Sequence, residues 1–316
     1  MSGATKKIAL IGAPTDVGAG KRGSSMGPEA LRVAGLERSL RRLRHEVTDR
    51  RNLAGPKNVE RPREDGYRHL EEVATWCALV RDAVASALAD GEIPILMGGD
   101  HSLAIGSIAA VAEHCARTKR RLTVLWLDAH ADFNVPQSSP SGNLHGMPVA
   151  VIAGHGPQEL TSLCSTVPMV EPSQIIEIGV RSVDEIEKTL VVESGLAVYD
   201  MRMIDEHGMR AVMARALDLA RKDDSHLHVS FDVDFLDPDI APGVPTTVRG
   251  GPTYREAQLC MEMIYDAGLL GSLDIMELNP AFDDHNRTAA LVVELVASLF
   301  GEQILARPHG GEGGRL

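Results

Sequence analysis

Three short stretches of this sequence place carboxylates and imidazoles at spacings that can do chemistry. The first, Gly98-Gly99-Asp100-His101-Ser102, follows an apolar run over 93–97. Its glycines permit a sharp turn, and Ser102 is a candidate cap for the next helix. Alone, it is a weak signal and reads first as an ordinary strand-to-helix turn. The second, Asp128-Ala129-His130-Ala131-Asp132, follows the apolar run 122–127. In extended backbone, residues at i, i+2 and i+4 share a face, so Asp128, His130 and Asp132 converge while the alanines point away. The third, Ser230-Phe231-Asp232-Val233-Asp234, pairs two carboxylates by the same spacing at the end of another run. Like charges at a buried strand end either raise a pKa or hold a cation. Taken singly, the second and third also read as solvated polar strand ends.

Together, His101, Asp128, His130, Asp132, Asp232 and Asp234 supply four carboxylates and two imidazoles. Four negative charges balance two divalent ions, and bridging carboxylates let six side chains hold a pair. Oxygen-rich ligation with some imidazole suits Mn²⁺, and the lack of thiolate argues against structural zinc. Two adjacent ions would generate hydroxide at neutral pH, which is hydrolytic chemistry.

The elements that must position these groups alternate along the chain. Strands are expected over 8–12, 46–50, 93–97, 122–127, 175–180, 197–200, 228–231 and 273–276, mostly as continuous apolar runs. Such runs suit a parallel sheet covered on both faces. Helices are expected over 28–43, 66–90, 103–117, 183–193, 205–222, 253–266 and 286–300. The alternation predicts a three-layer α/β/α protein with a mostly parallel, doubly wound sheet of about eight strands. In such sheets, sites lie beyond the carboxyl ends of the strands, where the three motifs fall. With no linker or repeat, residues 1–306 read as a single domain, and the glycine-rich tail 307–316 reads as disordered.

Thirty-two Lys and Arg stand against 44 Asp and Glu, a net charge of −12 over 316 residues. That balance argues against nucleic acid or an anionic membrane as partner. No apolar run reaches the roughly 18 residues of a membrane span, and the start of the chain lacks a signal-peptide core. The four cysteines, Cys77, Cys115, Cys164 and Cys260, form no CxxC pair and are expected to be buried free thiols in a reducing cytoplasm. Gly18, Gly20 and Gly23 match a G-x-G-x-x-G spacing, but Pro14, Thr15 and Asp16 separate them from the strand. A structural or site-rim loop is expected there rather than a dinucleotide site.

The motifs GGDHS at 98–102, DAHAD at 128–132 and SFDVDFLDP at 230–238, with SGNLHGMP at 141–148 and LDIMELNP at 273–280, resemble the ureohydrolases, and among them the arginases. The likeness spans residues 8 to about 305. It implies two Mn²⁺ ions per subunit, one held by His101, Asp128, Asp132 and Asp232, the other by His130, Asp128, Asp232 and Asp234. It implies attack of a metal-bridging hydroxide on the guanidinium carbon of L-arginine, giving L-ornithine and urea. Asp132 would then orient the hydroxide and pass its proton to the leaving amine, and His145 would shuttle protons. Glu277 is expected to pair with the guanidinium and Thr246 to line the site. Asn134, Ser139 and Ser141 match positions that bond the substrate α-carboxylate, and Asp184 and Glu187 match positions near the α-amino group. The resemblance also implies a homo-oligomer, a trimer or a hexamer. Phe235, Pro245, Thr247 and Arg249 depart from the pattern and are expected near the site rim. An agmatinase or another guanidino-compound hydrolase is the alternative enzyme; a metal-bound scaffold and a dinucleotide-dependent oxidoreductase are weaker ones.

Overall fold

The computed structural model describes residues 5–221 and 224–305. Its eight strands are β1 Lys7–Gly12, β2 Glu46–Asn52, β3 Ile93–Met97, β4 Arg121–Leu127, β5 Ile175–Ile178, β6 Ala197–Tyr199, β7 Ser225–Asp232 and β8 Leu270–Met276. They form one sheet in the order β2-β1-β3-β8-β7-β4-β5-β6. Every pairing is parallel, where the sequence predicted mostly parallel. The tail 307–316 lies outside the described residues.

Among the described residues eleven α-helices connect or follow the strands: α1 Gly27–Ala34, α2 Leu36–Arg42, α3 Leu70–Ala89, α4 Ala104–Thr118, α5 Pro148–Ile152, α6 Gln158–Thr161, α7 Glu185–Ser194, α8 Met201–His207, α9 Met209–Ala220, α10 Tyr254–Ala267 and α11 Arg287–Leu299. Strand side chains alternate between two aliphatic cores. Ile8, Leu10, Leu125, Leu127, Val229 and Phe231 pack with α1, α2 and α8–α11. Ala9, Ile11, Val124 and Trp126 pack with α3–α6, and Leu190 and Val191 of α7 lean on the same side. This is the three-layer α/β/α fold, and both faces of each central strand are dry.

Two expected helices are each split. Gly35, at φ 89°, separates α1 from α2 within 28–43, and Gly208, at φ 79°, separates α8 from α9. Positive φ is a conformation glycine adopts freely and helical periodicity does not report. The second expected helix also begins earlier, at Met201, and its last residue, 222, is not described. The long helix expected from 66 starts only at Leu70, because Gly66 and His69 both hold left-handed backbone.

β7 departs from the continuous apolar pattern. Leu227, Val229 and Phe231 face one core, while His226 and His228 face α4 and Ser230 and Asp232 meet His101 just before it, all buried. His228 joins Ser272 at 2.8 Å and Asp274 at 3.1 Å, and the Ser107 hydroxyl of α4 donates to Asp274 at 2.6 Å. A buried polar column is tolerated when its members satisfy one another, as these do except at His226 Nδ1, which has no partner. Glu177 of β5 is different. It is fully buried in register with Trp126, and neither carboxylate oxygen has a hydrogen-bond partner. Burial pushes its pKa well above the ordinary value, and the Asp128 and Glu187 charges push it further.

That raised pKa fixes the sign of a pH effect. The folded chain keeps a proton on Glu177 that the unfolded chain releases above about pH 4.5, so stability falls as pH rises from there through the folded pKa. Glu177→Leu is expected to raise the melting temperature at pH 7.5 by roughly 3 °C or more, the scale of about 2 kcal/mol in a domain this large. The gain should shrink at pH 5. Equal gains in thermal melts at both pH values would remove the ionisation account.

Candidate metal centre and substrate pocket

Because all strands run the same way, the segments that follow β3, β8, β7 and β4 emerge side by side at one edge of the sheet. After β3, Gly99 lies so close to the Thr15 carbonyl that a Cβ would sit 1.6 Å from its oxygen. Only glycine permits that approach. Asp100 then caps a short turn, accepting from Ser102 N at 3.1 Å and from Gly18 N at 2.9 Å. The N-terminal glycine loop is thus a structural tie at the site rim, as expected. After β8, Glu277 takes left-handed backbone at φ 61°. Its Oε1 accepts from His101 N at 2.9 Å and from the His145 ring at 3.0 Å, and Ser24 Oγ donates to its Oε2 at 3.3 Å.

His101 Nδ1 lies 2.9 Å from Asp232, 3.2 Å from Asp128 and 3.4 Å from Asp132. His130 Nδ1 lies 3.1 Å from Asp234 and 3.4 Å from the other oxygen of Asp128. Two three-donor groups result, His101/Asp128/Asp232 and Asp128/His130/Asp234, which share Asp128 and could each hold a metal ion. Asp132 stands beside the first group through its contact with His101. All six side chains except His130 are buried. Ser230 Oγ meets His101 Nε2 at 2.9 Å, which leaves Nδ1 facing the carboxylates. The Trp126 indole stacks on the same imidazole at 4.1 Å and donates to Asp128 at 2.9 Å.

Electrostatics agree with a cation site. Burial pushes Asp132 and Asp232 well above the ordinary carboxylate range, and neighbouring carboxylates add to the shift. Burial pulls His130 down, but the Asp234 and Asp128 charges outweigh it and leave the imidazole well above its usual value. Besides such protons, the chain brings the Arg181 guanidinium, whose charge acts on Asp234, Asp128 and Asp232. The donors are oxygens and imidazole nitrogens without sulfur, a set that fits hard to borderline divalent ions.

Above the cluster lies a pocket of about 160 Å³. Its lining includes His130, Asp132, Asn134, Ser139, Ser141, His145, Asp184, Glu187, Thr246, Glu277, Asp232 and Asp234. His101 and Asp128 lie beneath it. Asn134 donates to Asp184 at 3.1 Å and accepts from Ser138 at 2.8 Å. Ser139 accepts from Gly142 N and Ser141 from Asn143 N, which leaves both hydroxyl hydrogens available to a ligand. Glu187 closes the capping box of α7 and accepts from Phe133 N at 2.8 Å, so it braces the metal loop as well as lining the pocket. Thr246 donates to Asp234 at 3.0 Å. Arg63 clamps the serine loop from outside, donating to the Pro136 carbonyl at 2.8 Å and to the Pro140 carbonyl at 3.3 Å.

Several expectations need correction. Residues 128–132 are not extended: Asp128 accepts from His130 N at 2.7 Å, and Asp132 has φ 47°. Asp234 is likewise delivered by a short 3-10 turn after β7. Tight turns, not strand alternation, bring these groups together. Phe235 is not at the rim; it is fully buried against Phe231 and Gly179 in the core. Pro245, Thr247 and Arg249 are absent from the pocket lining, where Thr246 alone of that loop appears. Sequence reasoning missed Ser24, Trp126, Ser230 and Arg181. The last donates to the carbonyls of Gly179, Asp234, Phe235, Leu236 and Val248, which pins the Asp234 turn. A buried polar neighbour two residues before Asp128 or Asp232 was the available signal for Trp126 and Ser230.

Such a centre at the carboxyl edge of a parallel three-layer fold marks a hydrolase of the kind that acts on guanidino groups. The Arginase family profile matches residues 6–301. An arginase of Brucella melitensis is 44% identical over 301 residues, covering 95% of this chain and 97% of its own. The solved arginase of Bacillus caldovelox matches with a TM-score of 0.91 at 41% identity, over 95% of this chain and 100% of that one. The solved Entamoeba histolytica arginase in complex with L-ornithine matches with a TM-score of 0.87 at 32% identity, over 96% of this chain and 100% of that one. The chain belongs to the arginase family.

The shared position of Asp128 sets a test. Asp128→Ala should abolish activity and remove bound divalent metal from both groups in elemental analysis, because one carboxylate serves each. Full metal retention would contradict the shared role.

Proposed function

We propose that this chain hydrolyses L-arginine to L-ornithine and urea at a centre of two Mn²⁺ ions. The observation that carries the reading is the single carboxylate, Asp128, reaching both three-donor groups directly beneath the polar pocket. One ion would be held by His101, Asp128, Asp132 and Asp232, and the other by His130, Asp128, Asp232 and Asp234. When bound, the pair supplies the Lewis acidity that ionises water at neutral pH.

The chain's own residues do the rest. Glu277, buried beside the pocket, pairs with the guanidinium by charge-assisted hydrogen bonds and turns its carbon toward the metals. Asp132, as the carboxylate lining the pocket beside the first group, takes the proton of the attacking water and delivers it to the departing amine. His145 relays the proton between pocket and solvent. Burial lowers its affinity for that proton, but the bond and charge of Glu277 more than offset this, so the imidazole stays available as an acid near neutral pH. The scissile C–N bond breaks, the amine leaves protonated as ornithine, and the remaining carbon departs as urea. Asn134, Ser139 and Ser141 hold the α-carboxylate, and Asp184 and Glu187 face the α-amino group. The L-ornithine complex of the Entamoeba relative supports a pocket shaped for this product. Four buried free thiols are in keeping with a reducing cytoplasm, and we place the chain there as a homo-oligomer.

Urea release from arginine and from agmatine, measured side by side, tests the substrate. Faster turnover of agmatine, which lacks the α-carboxylate, would overturn the reading. Asn134→Ala should raise KM for arginine about tenfold or more, the scale of one hydrogen bond to a charged group. Bound metal and agmatine kinetics should stay unchanged. An unaltered KM would remove the assigned contact.

A further inference from the structure

A short hairpin outside the substrate pocket takes no part in the reaction above, yet it holds one wall of that pocket. Residues 63–68 double back on themselves: Glu64 N donates to the Tyr67 carbonyl and Tyr67 N to the Glu64 carbonyl, both at 2.8 Å. At the bend, Asp65 and Gly66 have φ of 49° and 89°. Two successive positive φ values are what a type I′ hairpin turn requires, and Asp-Gly is a favoured pair for it. The turn leaves Arg63 and Arg68 one residue beyond either end of the bridge, and both grip the same loop. Arg63 Nη2 donates to the Pro136 carbonyl at 2.8 Å and Nη1 to the Pro140 carbonyl at 3.3 Å. Arg68 N donates to the Gly142 carbonyl at 2.8 Å. Gly66 lies against Pro136, where a Cβ would sit 2.5 Å from the proline Cβ.

The gripped loop, 134–143, carries Asn134, Ser139 and Ser141, all of which line the pocket. Its own hydrogen bonds are local: Ser138 N and Ser139 N donate to the Val135 carbonyl, and Gly142 N donates to Ser139 Oγ at 2.9 Å. Asn134 is anchored to the body of the protein through Asp184 and the Gly146 carbonyl. Among the described residues, the hydrogen bonds that reach 136–142 from beyond 134–143 come from the hairpin alone. Ser141 is exposed, so packing does little to fix it. Arg63 itself is absent from the pocket lining and works on the loop from behind. A planar guanidinium fork spans two carbonyls in a geometry that a single ammonium does not reproduce.

We propose that Arg63, presented by the Asp65-Gly66 turn, is a positioning residue that sets this chain's preference for a guanidino substrate bearing an α-carboxylate; this rests on the proposed role of the loop in holding that group. With both carbonyls fixed, the Ser139 and Ser141 hydroxyls stay in place, and the carboxylate meets donors that need no ordering. Ordering a loose segment at the moment of binding costs affinity, so a loop held beforehand lowers KM. The metal groups and Glu277 belong to other segments, so the chemical step and metal binding lie outside the reach of the clamp. A substrate without the carboxylate gains nothing from it.

Steady-state urea release by the metal-loaded full chain tests this, with agmatine measured in parallel as substrate or as competitive inhibitor. Arg63→Ala should raise KM for arginine about fivefold, the scale of one hydrogen bond. It should leave kcat, bound metal and the agmatine constant unchanged. Arg63→Lys, which keeps the charge but not the fork, should fall between. Gly66→Ala keeps Arg63 but strains the turn and pushes on Pro136, so it should give the same pattern by an independent route. Arg61→Gln removes a guanidinium that faces Glu72 instead, and should change KM by less than about twofold. An unchanged KM for arginine in Arg63→Ala, or an equal rise for agmatine, would overturn the proposal. Hydrogen exchange reads the clamp without turnover: the amides of Ser138, Ser139 and Gly142 should exchange faster in Arg63→Ala and Gly66→Ala than in the parent. Unchanged exchange in both variants would also overturn it. A parent that releases no urea from arginine would sink the proposed function and the preference built on it, while exchange still decides whether Arg63 holds the loop.

Discussion

Four carboxylates converge at one nearly dry point, and their mutual repulsion is the constraint that the rest of the molecule answers. Asp128, Asp132, Asp232 and Asp234 are each at most 7% exposed, so solvent does little to screen them. Backbone donors absorb part of the charge: His130 N on Asp128, Asp234 N on Asp232, and Ala129 N on Asp234. The Trp126 indole and the Thr246 hydroxyl absorb more. What remains is too much negative charge for a folded interior without cations. Divalent ions and protonated groups are the alternatives, and Asp132 and Asp232 accordingly hold protons well above the ordinary carboxylate range.

That convergence depends on the sheet. A parallel strand can be placed beside any other of the same direction, and here β8 and β7 stand between β3 and β4. His101, Glu277, the Asp232 pair and the Asp128 triad thereby arise from four neighbouring strands. The segments beyond them are long, yet they interlock. Gly18 reaches Asp100, Ser24 reaches Glu277, Arg181 spans five carbonyls, and Arg63 grips the serine loop. Each tie joins segments remote in sequence. The loops then behave less like surface connections and more like a third wall built on the sheet's edge.

Much of the fold was readable because both faces of the central strands are covered, so runs such as 93–97 and 122–127 are apolar throughout. The breaks at Gly35 and Gly208 were not, because the amphipathic period continues across them. Helices α5 and α6, five and four residues long, are too short to show any period. At the site, two-residue spacing named five of the six candidate ligands and a position just past a strand named His101, although turns rather than extended strands deliver several of them. Trp126 and Ser230 escaped notice because an indole or hydroxyl inside a strand reads as core until its partner is known. Glu177 escaped because one acid in an apolar strand of four residues carries no periodic signal.

The sequence alone determined which groups could act and that each would stand just past the end of a strand. Those are local facts, written in residue type, spacing and apolar runs. The order of the strands, the left-handed turns at Asp132 and Glu277, and the partners of Arg63 and Arg181 were decided only by tertiary structure. Parallel strands pair through crossovers whose choice depends on how whole helical layers pack, and no local pattern encodes that choice.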